Sequence, residues 1–99
     1  MAKLILKQEA INDLTNIWEY TVETWSENQA NRYYEAIKQA CLDISQNPGQ
    51  GRKYLEISKN LLGYRINKHI IFYHVVSDEV EVIRILHEKM DLRNQVRPT

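Results

Sequence analysis

Cysteine is all but missing from this chain. Cys41 stands alone, which leaves no partner for an intramolecular disulfide and excludes a zinc site built on cysteine. Histidine is scarce too. His69, His74 and His87 are the whole supply, no HExxH spacing exists, and a metal site would have to borrow carboxylates, so neither metal nor cofactor is expected. Three glycines and two prolines among 99 residues, with 43% hydrophobic and 26% charged residues, exclude collagen-like and disordered classes. No apolar run approaches the roughly 18 residues that a membrane span needs, and the apolar part of the opening MAKLILKQEA is too short for a secretory signal. A cytoplasmic protein with no membrane contact is the expectation. The length sets a single domain, residues 1–99, around one core.

Net charge is zero, yet the two halves differ. Residues 1–51 hold four basic and seven acidic groups, whereas residues 52–99 hold nine basic and six acidic groups. That asymmetry hints at an anionic partner, acidic protein or nucleic acid, for the C-terminal half.

Apolar periodicity supplies the layout. Residues 2–7 (AKLILK) alternate as a short strand does. From about Gln8 to Trp25, the residues Ile11, Leu14, Trp18, Val22 and Trp25 recur at helical spacing, with Asp13, Asn16, Glu19 and Glu23 on other faces. Ser26 and Gln29 in WSENQA form a capping-box pattern that starts a second helix, whose apolar stripe is Ala30, Tyr33, Tyr34, Ile37, Ala40, Cys41 and Ile44. Almost no linker separates the two helices, so they form a hairpin. QNPGQG ends the second one, since Pro48 cannot continue it. Beyond this break the period falls toward two. GYRINKH, IIFYHVV and VEVIRIL read as three successive antiparallel strands, with SDE as a polar turn. Residues 52–60 have no determined state, and the chain after Leu92 reads as short helix or coil. A hairpin and a sheet, each apolar on one side, bury those sides against each other. The expected fold is α+β, a two-layer βααβββ domain with the helical hairpin on a small, mainly antiparallel sheet.

In this order the segments carry a resemblance. DLTNIWEYTVETWSENQANRYYEAI, NPGQGRKY, GYRINKHIIFYHV and VEVIRILHEKMDL together resemble toxins of the RelE/ParE superfamily, and within it the ParE branch, from about Lys7 to Val96. The resemblance implies a bacterial type II toxin–antitoxin pair. A cognate antitoxin, ParD-like or of another type II family, would wrap the toxin along its hairpin and sheet, in a hetero-oligomeric complex. ParE-like members poison DNA gyrase. RelE-like relatives instead cleave mRNA on the ribosome without metal.

Metal-free RNA cleavage needs a base for the 2′-OH, a cation for the charged phosphorane and an acid for the leaving oxygen. The resemblance puts a RelE-like arginine at about Ile70, where no cation stands, and the tail has no tyrosine. His87 alone has suitable chemistry near neutral pH, with Arg84 or Arg65 as the phosphate-holding candidates. Arg84 and His87 are three apart on a strand, however, and point to opposite faces unless a bulge intervenes. A non-enzymatic gyrase inhibitor is therefore the favoured expectation, and a RelE-like endoribonuclease the alternative. Charge and position assign target binding to Arg84, His87, Lys89 and Arg93. Antitoxin binding is assigned to the helical hairpin, at Ile17, Trp18, Tyr20, Trp25 and Tyr33. Tyr64 and Tyr73 are expected to pack on the sheet with hydroxyls at the surface, and Tyr33 and Tyr34 to line the hairpin seam. Cys41 should be buried and inert, Arg65 exposed, and His69 and His74 partly buried and hydrogen-bonded.

Overall fold

A computed structural model describes residues 2–96. The elements are β1 (Lys3–Leu6), α1 (Gln8–Thr24), α2 (Glu27–Gln46), a 3-10 turn (Pro48–Gln50), β2 (Arg52–Lys53), β3 (Leu62–Ile66), β4 (His69–Val76), β5 (Glu79–His87) and α3 (Leu92–Gln95). The sheet runs β1-β5-β4-β3-β2, antiparallel throughout except for β1, which pairs parallel to β5 with Leu4 opposite Val80 and Leu6 opposite Val82. No helix among the described residues is long and apolar enough to cross a membrane.

Local chemistry accounts for the boundaries. The Ser26 hydroxyl accepts from the Gln29 N–H, forming the Ser26 half of the expected capping box, and α2 begins there. Two-residue links, Asn67–Lys68 and Ser77–Asp78, turn the chain between β3, β4 and β5, with positive φ at Asn67 and Ser77. Asparagine tolerates that conformation better than other side-chain-bearing residues.

The inner face of the sheet packs on the hairpin. Ala10, Ile37, Ala40, Cys41 and Ile44 from the helices meet Ile71, Tyr73, Val80, Val82 and Ile85 from the strands. Alternation sends Ile70, Phe72 and Leu86 to the opposite face, where they form a second cluster with Leu61 and Val96. Thus the outer face is partly roofed by the 54–61 loop and by the tail around α3. The undetermined segment 52–60 adds a two-residue edge strand, Arg52 opposite Gly63 and Lys53 opposite Leu62.

Tyr73 departs from expectation. Its ring is fully buried, and its hydroxyl, expected at the surface, donates to the Pro48 carbonyl at 2.7 Å and accepts from the Gly51 N–H at 3.1 Å. Burial holds the phenol above its ordinary pKa. The sequence reading assigned a polar tip to solvent, but the 3-10 turn offered that tip two backbone partners in the core. A Cβ on Gly51 would sit 2.3 Å from this hydroxyl, which fixes glycine there.

Tyr73→Phe leaves the Pro48 carbonyl and the Gly51 N–H without their partner and should lower unfolding free energy by about 1–3 kcal/mol. Urea denaturation with an unchanged m-value checks this.

Candidate functional site

The segment VIRILHEKMDL runs along β5 into the tail, and a bulge interrupts it. Phe72 pairs with Arg84 while Tyr73 pairs with Val82, so Ile83 is the extra residue. The bulge precedes Arg84. From Arg84 to His87 the register is regular, against Phe72, Ile71, Ile70 and His69, so nothing brings the two side chains to one face.

Arg84 is held within the fold. Its Nε and Nη2 donate to the two oxygens of Asp13 at 2.8 and 2.9 Å, and Nη1 donates to the Gln95 carbonyl at 2.8 Å and lies 3.6 Å from Glu9. Asp13 also accepts the Ile85 N–H at 3.0 Å. Both side chains are largely buried, at 17% and 11% exposure, and the Asp13 hydrogen bonds hold the guanidinium above its ordinary pKa. The expectation that Arg84 offers a free cation to a target is therefore not met. Asp13 had been grouped with the polar helix positions. Only the fold shows that it meets β5.

His87 joins a chain of polar groups at the other end of the strand. Its Nδ1 accepts from the Lys89 N–H at 3.1 Å, which places the proton of the neutral ring on Nε2. The ring packs edge-on against His69 with centroids 5.2 Å apart. His69 Nδ1 lies 2.6 Å from the Tyr33 hydroxyl, which also donates to the Ile66 carbonyl at 3.2 Å. Burial, and then the neighbouring His87, depress the His69 pKa. Burial pushes the Tyr33 phenol up. An imidazole whose one lone pair is taken by an amide has none to offer a 2′-OH, so His87 is not set up as a general base. Arg65, exposed as expected, pairs with Glu88 and donates to the Asn67 carbonyl. Lys89 and Arg93 are exposed and make no ion pair among the described residues. Arg97 lies outside the described residues.

The hairpin offers a different surface. Trp18 donates its indole N–H to Asn31 at 3.0 Å and, with Leu14, Thr15 and Tyr34, lines an open cleft of about 310 Å³. Tyr20 and Trp25 stand out at 65% and 74% exposure, and Ile11 and Tyr34 are exposed as well. Ile17 and Tyr33 instead turn inward and pack on the inner core. Tyr34 lines the cleft between the two helices, as expected of a seam residue, but at the edge of the apolar stripe and so partly in solvent, whereas Tyr33 lies nearer the centre of the stripe.

Comparison with known proteins follows the same lines. The family of ParE toxins of the parDE type II toxin–antitoxin system matches residues 4–92. Toxin ParE1 of Caulobacter vibrioides is 35% identical over 92 residues, covering 89% of this chain and 91% of that protein. Toxin ParE1 of Mycobacterium tuberculosis is 29% identical over 92 residues, covering 92% of this chain and 94% of that protein. A chromosomal ParDE toxin–antitoxin structure from Pseudomonas aeruginosa has the same fold, with TM-score 0.78 at 18% identity over 88% of this chain and 96% of that one. The RelBE2 toxin–antitoxin complex of M. tuberculosis follows at TM-score 0.63 and 16% identity, covering 87% of this chain and 96% of that one. The fold and the sequence together define a RelE/ParE superfamily toxin. The chain belongs to the ParE toxin family of type II toxin–antitoxin systems.

Removing the carboxylate in Asp13→Ala takes away the bidentate partner of Arg84 and the acceptor of the Ile85 N–H, leaving the guanidinium only Glu9 and the Gln95 carbonyl, and should cost about 2–4 kcal/mol, measured by chemical denaturation. His69 carries a depressed pKa in the fold, so the unfolded chain binds the proton first, from about pH 6.5 downward. Stability should therefore fall as pH drops from 7.5 to 5. The slope should flatten in His69→Asn, as urea titrations at the two pH values would reveal.

Proposed function

We infer that this toxin acts without chemistry of its own, by binding DNA gyrase in the cytoplasm, and that a cognate antitoxin holds it inactive through the hairpin surface. The observation that carries this reading is the state of the groups an RNA-cleaving site would use. Arg84 is tied to Asp13 and the His87 lone pair is taken by the Lys89 amide, inside a chain that matches the ParE family over most of its length. Arg84 is already engaged where a phosphate would need it, and His87 has no lone pair left for a 2′-OH. Ile70, at the position where RelE-like enzymes carry an arginine, is buried in the outer cluster.

The unpaired cations favour the tail as part of the target surface, which leaves Lys89 and Arg93 as its residues, with His87 at the margin. Exposed Trp25 and Tyr20 and the Trp18 cleft suit an amphipathic antitoxin segment, which needs apolar anchors on the toxin. With Ile17 and Tyr33 turned inward, their contribution to that surface is support from beneath.

A supercoiling assay with purified toxin, gyrase and relaxed plasmid tests the reading. Loss of supercoiling with protein-linked linear DNA is expected, reversed by antitoxin, while transcripts in arrested cells stay uncut. Charge reversal at both tail cations, Lys89→Glu with Arg93→Glu, should remove inhibition and leave the antitoxin complex intact. Conversely, Tyr20→Ala with Trp25→Ala should weaken the antitoxin complex at least tenfold by calorimetry, the range of two lost interface aromatics.

A further inference from the structure

Beyond the hairpin and the tail, the outer face of the sheet carries a trench that neither surface accounts for. Two open cavities of about 460 and 390 Å³ lie side by side and share Leu61 and His74 as a common wall. One runs past Lys53, Lys59 and Val76, and the other past Lys7, Ile83 and Val96. Together they cross the face of the sheet opposite the helices.

Three features of this trench point to an occupant. First, its mouth holds apolar side chains in water: Leu55 is 68% exposed and Val76 49%. Second, its rim is cationic. Lys53 and Lys59 flank one end and make no ion pair among the described residues, while Lys7 at the other end is paired with Glu81 at 3.9 Å. The one carboxylate on the lining, Glu9, is already drawn to Arg84. Third, His74 stands at the centre, half-buried, with no hydrogen bond among the described residues, contrary to the bonded histidine expected there. An imidazole held in a groove without a partner can donate a hydrogen bond to a visiting chain or accept one from it.

We propose that this trench docks an extended, acidic and apolar segment of the toxin's target protein, carboxylates meeting Lys53, Lys59 and His74 while alternate apolar side chains rest on Leu55, Leu61 and Val76. An extended segment suits it because alternate side chains of a strand point to opposite sides, matching an apolar floor under a charged rim. The target is the occupant, not the antitoxin, because the trench lies on the face of the sheet opposite the hairpin and is walled at one end by the tail that carries Arg93. This rests on the reading of the chain as a toxin that acts by binding a protein.

Two measurements test it. In the first, end-blocked peptides with alternating glutamate and leucine, or alternating lysine and leucine, are titrated into isotope-labelled toxin. The glutamate peptide should shift the amides of Leu61, His74 and Val76 saturably, the lysine peptide should not, and Lys53→Glu with Lys59→Glu should weaken the binding at least tenfold. Shifts centred on Trp18 and Tyr34, no saturable binding, or equal binding by the double variant would overturn the proposal. In the second, the same variant is assayed for gyrase inhibition and for antitoxin affinity. A tenfold loss of inhibition with antitoxin affinity within twofold of wild type is expected. Unchanged inhibition would overturn the trench while leaving the gyrase reading intact, and lost antitoxin binding with full inhibition would assign the trench to the antitoxin instead. If the wild-type toxin does not inhibit gyrase, the gyrase reading fails, and the peptide titration alone decides the trench.

Discussion

The Arg84–Asp13 pair is the contact on which the remaining arrangement hangs. A planar guanidinium and a carboxylate meet through two parallel hydrogen bonds, which fixes orientation as well as distance. Asp13 comes from α1 and Arg84 from β5, so the pair sets how the hairpin sits on the sheet. The same two residues reach further. Asp13 takes the Ile85 N–H just past the bulge, and Arg84 takes the Gln95 carbonyl, so the strand irregularity and the tail are held by one ion pair. Such a buried pair gives little net stability over an apolar substitute, since both charges lose water, but it leaves few alternative ways to dock the two layers.

Function is distributed around this pair rather than built on it. The hairpin presents exposed aromatic side chains, the tail presents unpaired cations, and the outer sheet face carries the trench around His74. The histidines that could have served as catalysts are drawn into support. His87 and His69 link the end of β5 and the start of β4 to Tyr33 on α2 through ring packing and hydrogen bonds. Residue types suited to catalysis are therefore no guide to function until their partners in the fold are known.

Much of the architecture was legible because its signals were periodic. The Ser26 cap, the Pro48 stop and the switch from helical to alternating spacing marked the hairpin and the three long strands at the right places. Pairings between distant residues were not legible. Nothing local says that Asp13 meets Arg84, separated by 71 residues, or that Tyr73 points its hydroxyl at the Pro48 turn. The strand β2 escaped because two residues carry no period, and Arg52 and Lys53 adopt it only by borrowing the edge of β3. Among the candidate target residues, charge and position could not distinguish Lys89 and Arg93, which are exposed, from Arg84, which has the same charge and a buried partner.

The parallel pairing of β1 with β5 carries a consequence for how the molecule comes into being. Residues 3–6 have no sheet neighbour until residues 79–82 exist, and no other strand can stand in for them. The hairpin made early in synthesis waits with Ile37, Ala40 and Ile44 incompletely covered until the last strand joins β4 to complete its floor. Contacts of such long sequence separation slow folding, because the loop between them must be closed before any of its pairing is gained. The fold is therefore complete only with closure of the whole chain, not with translation of its first half.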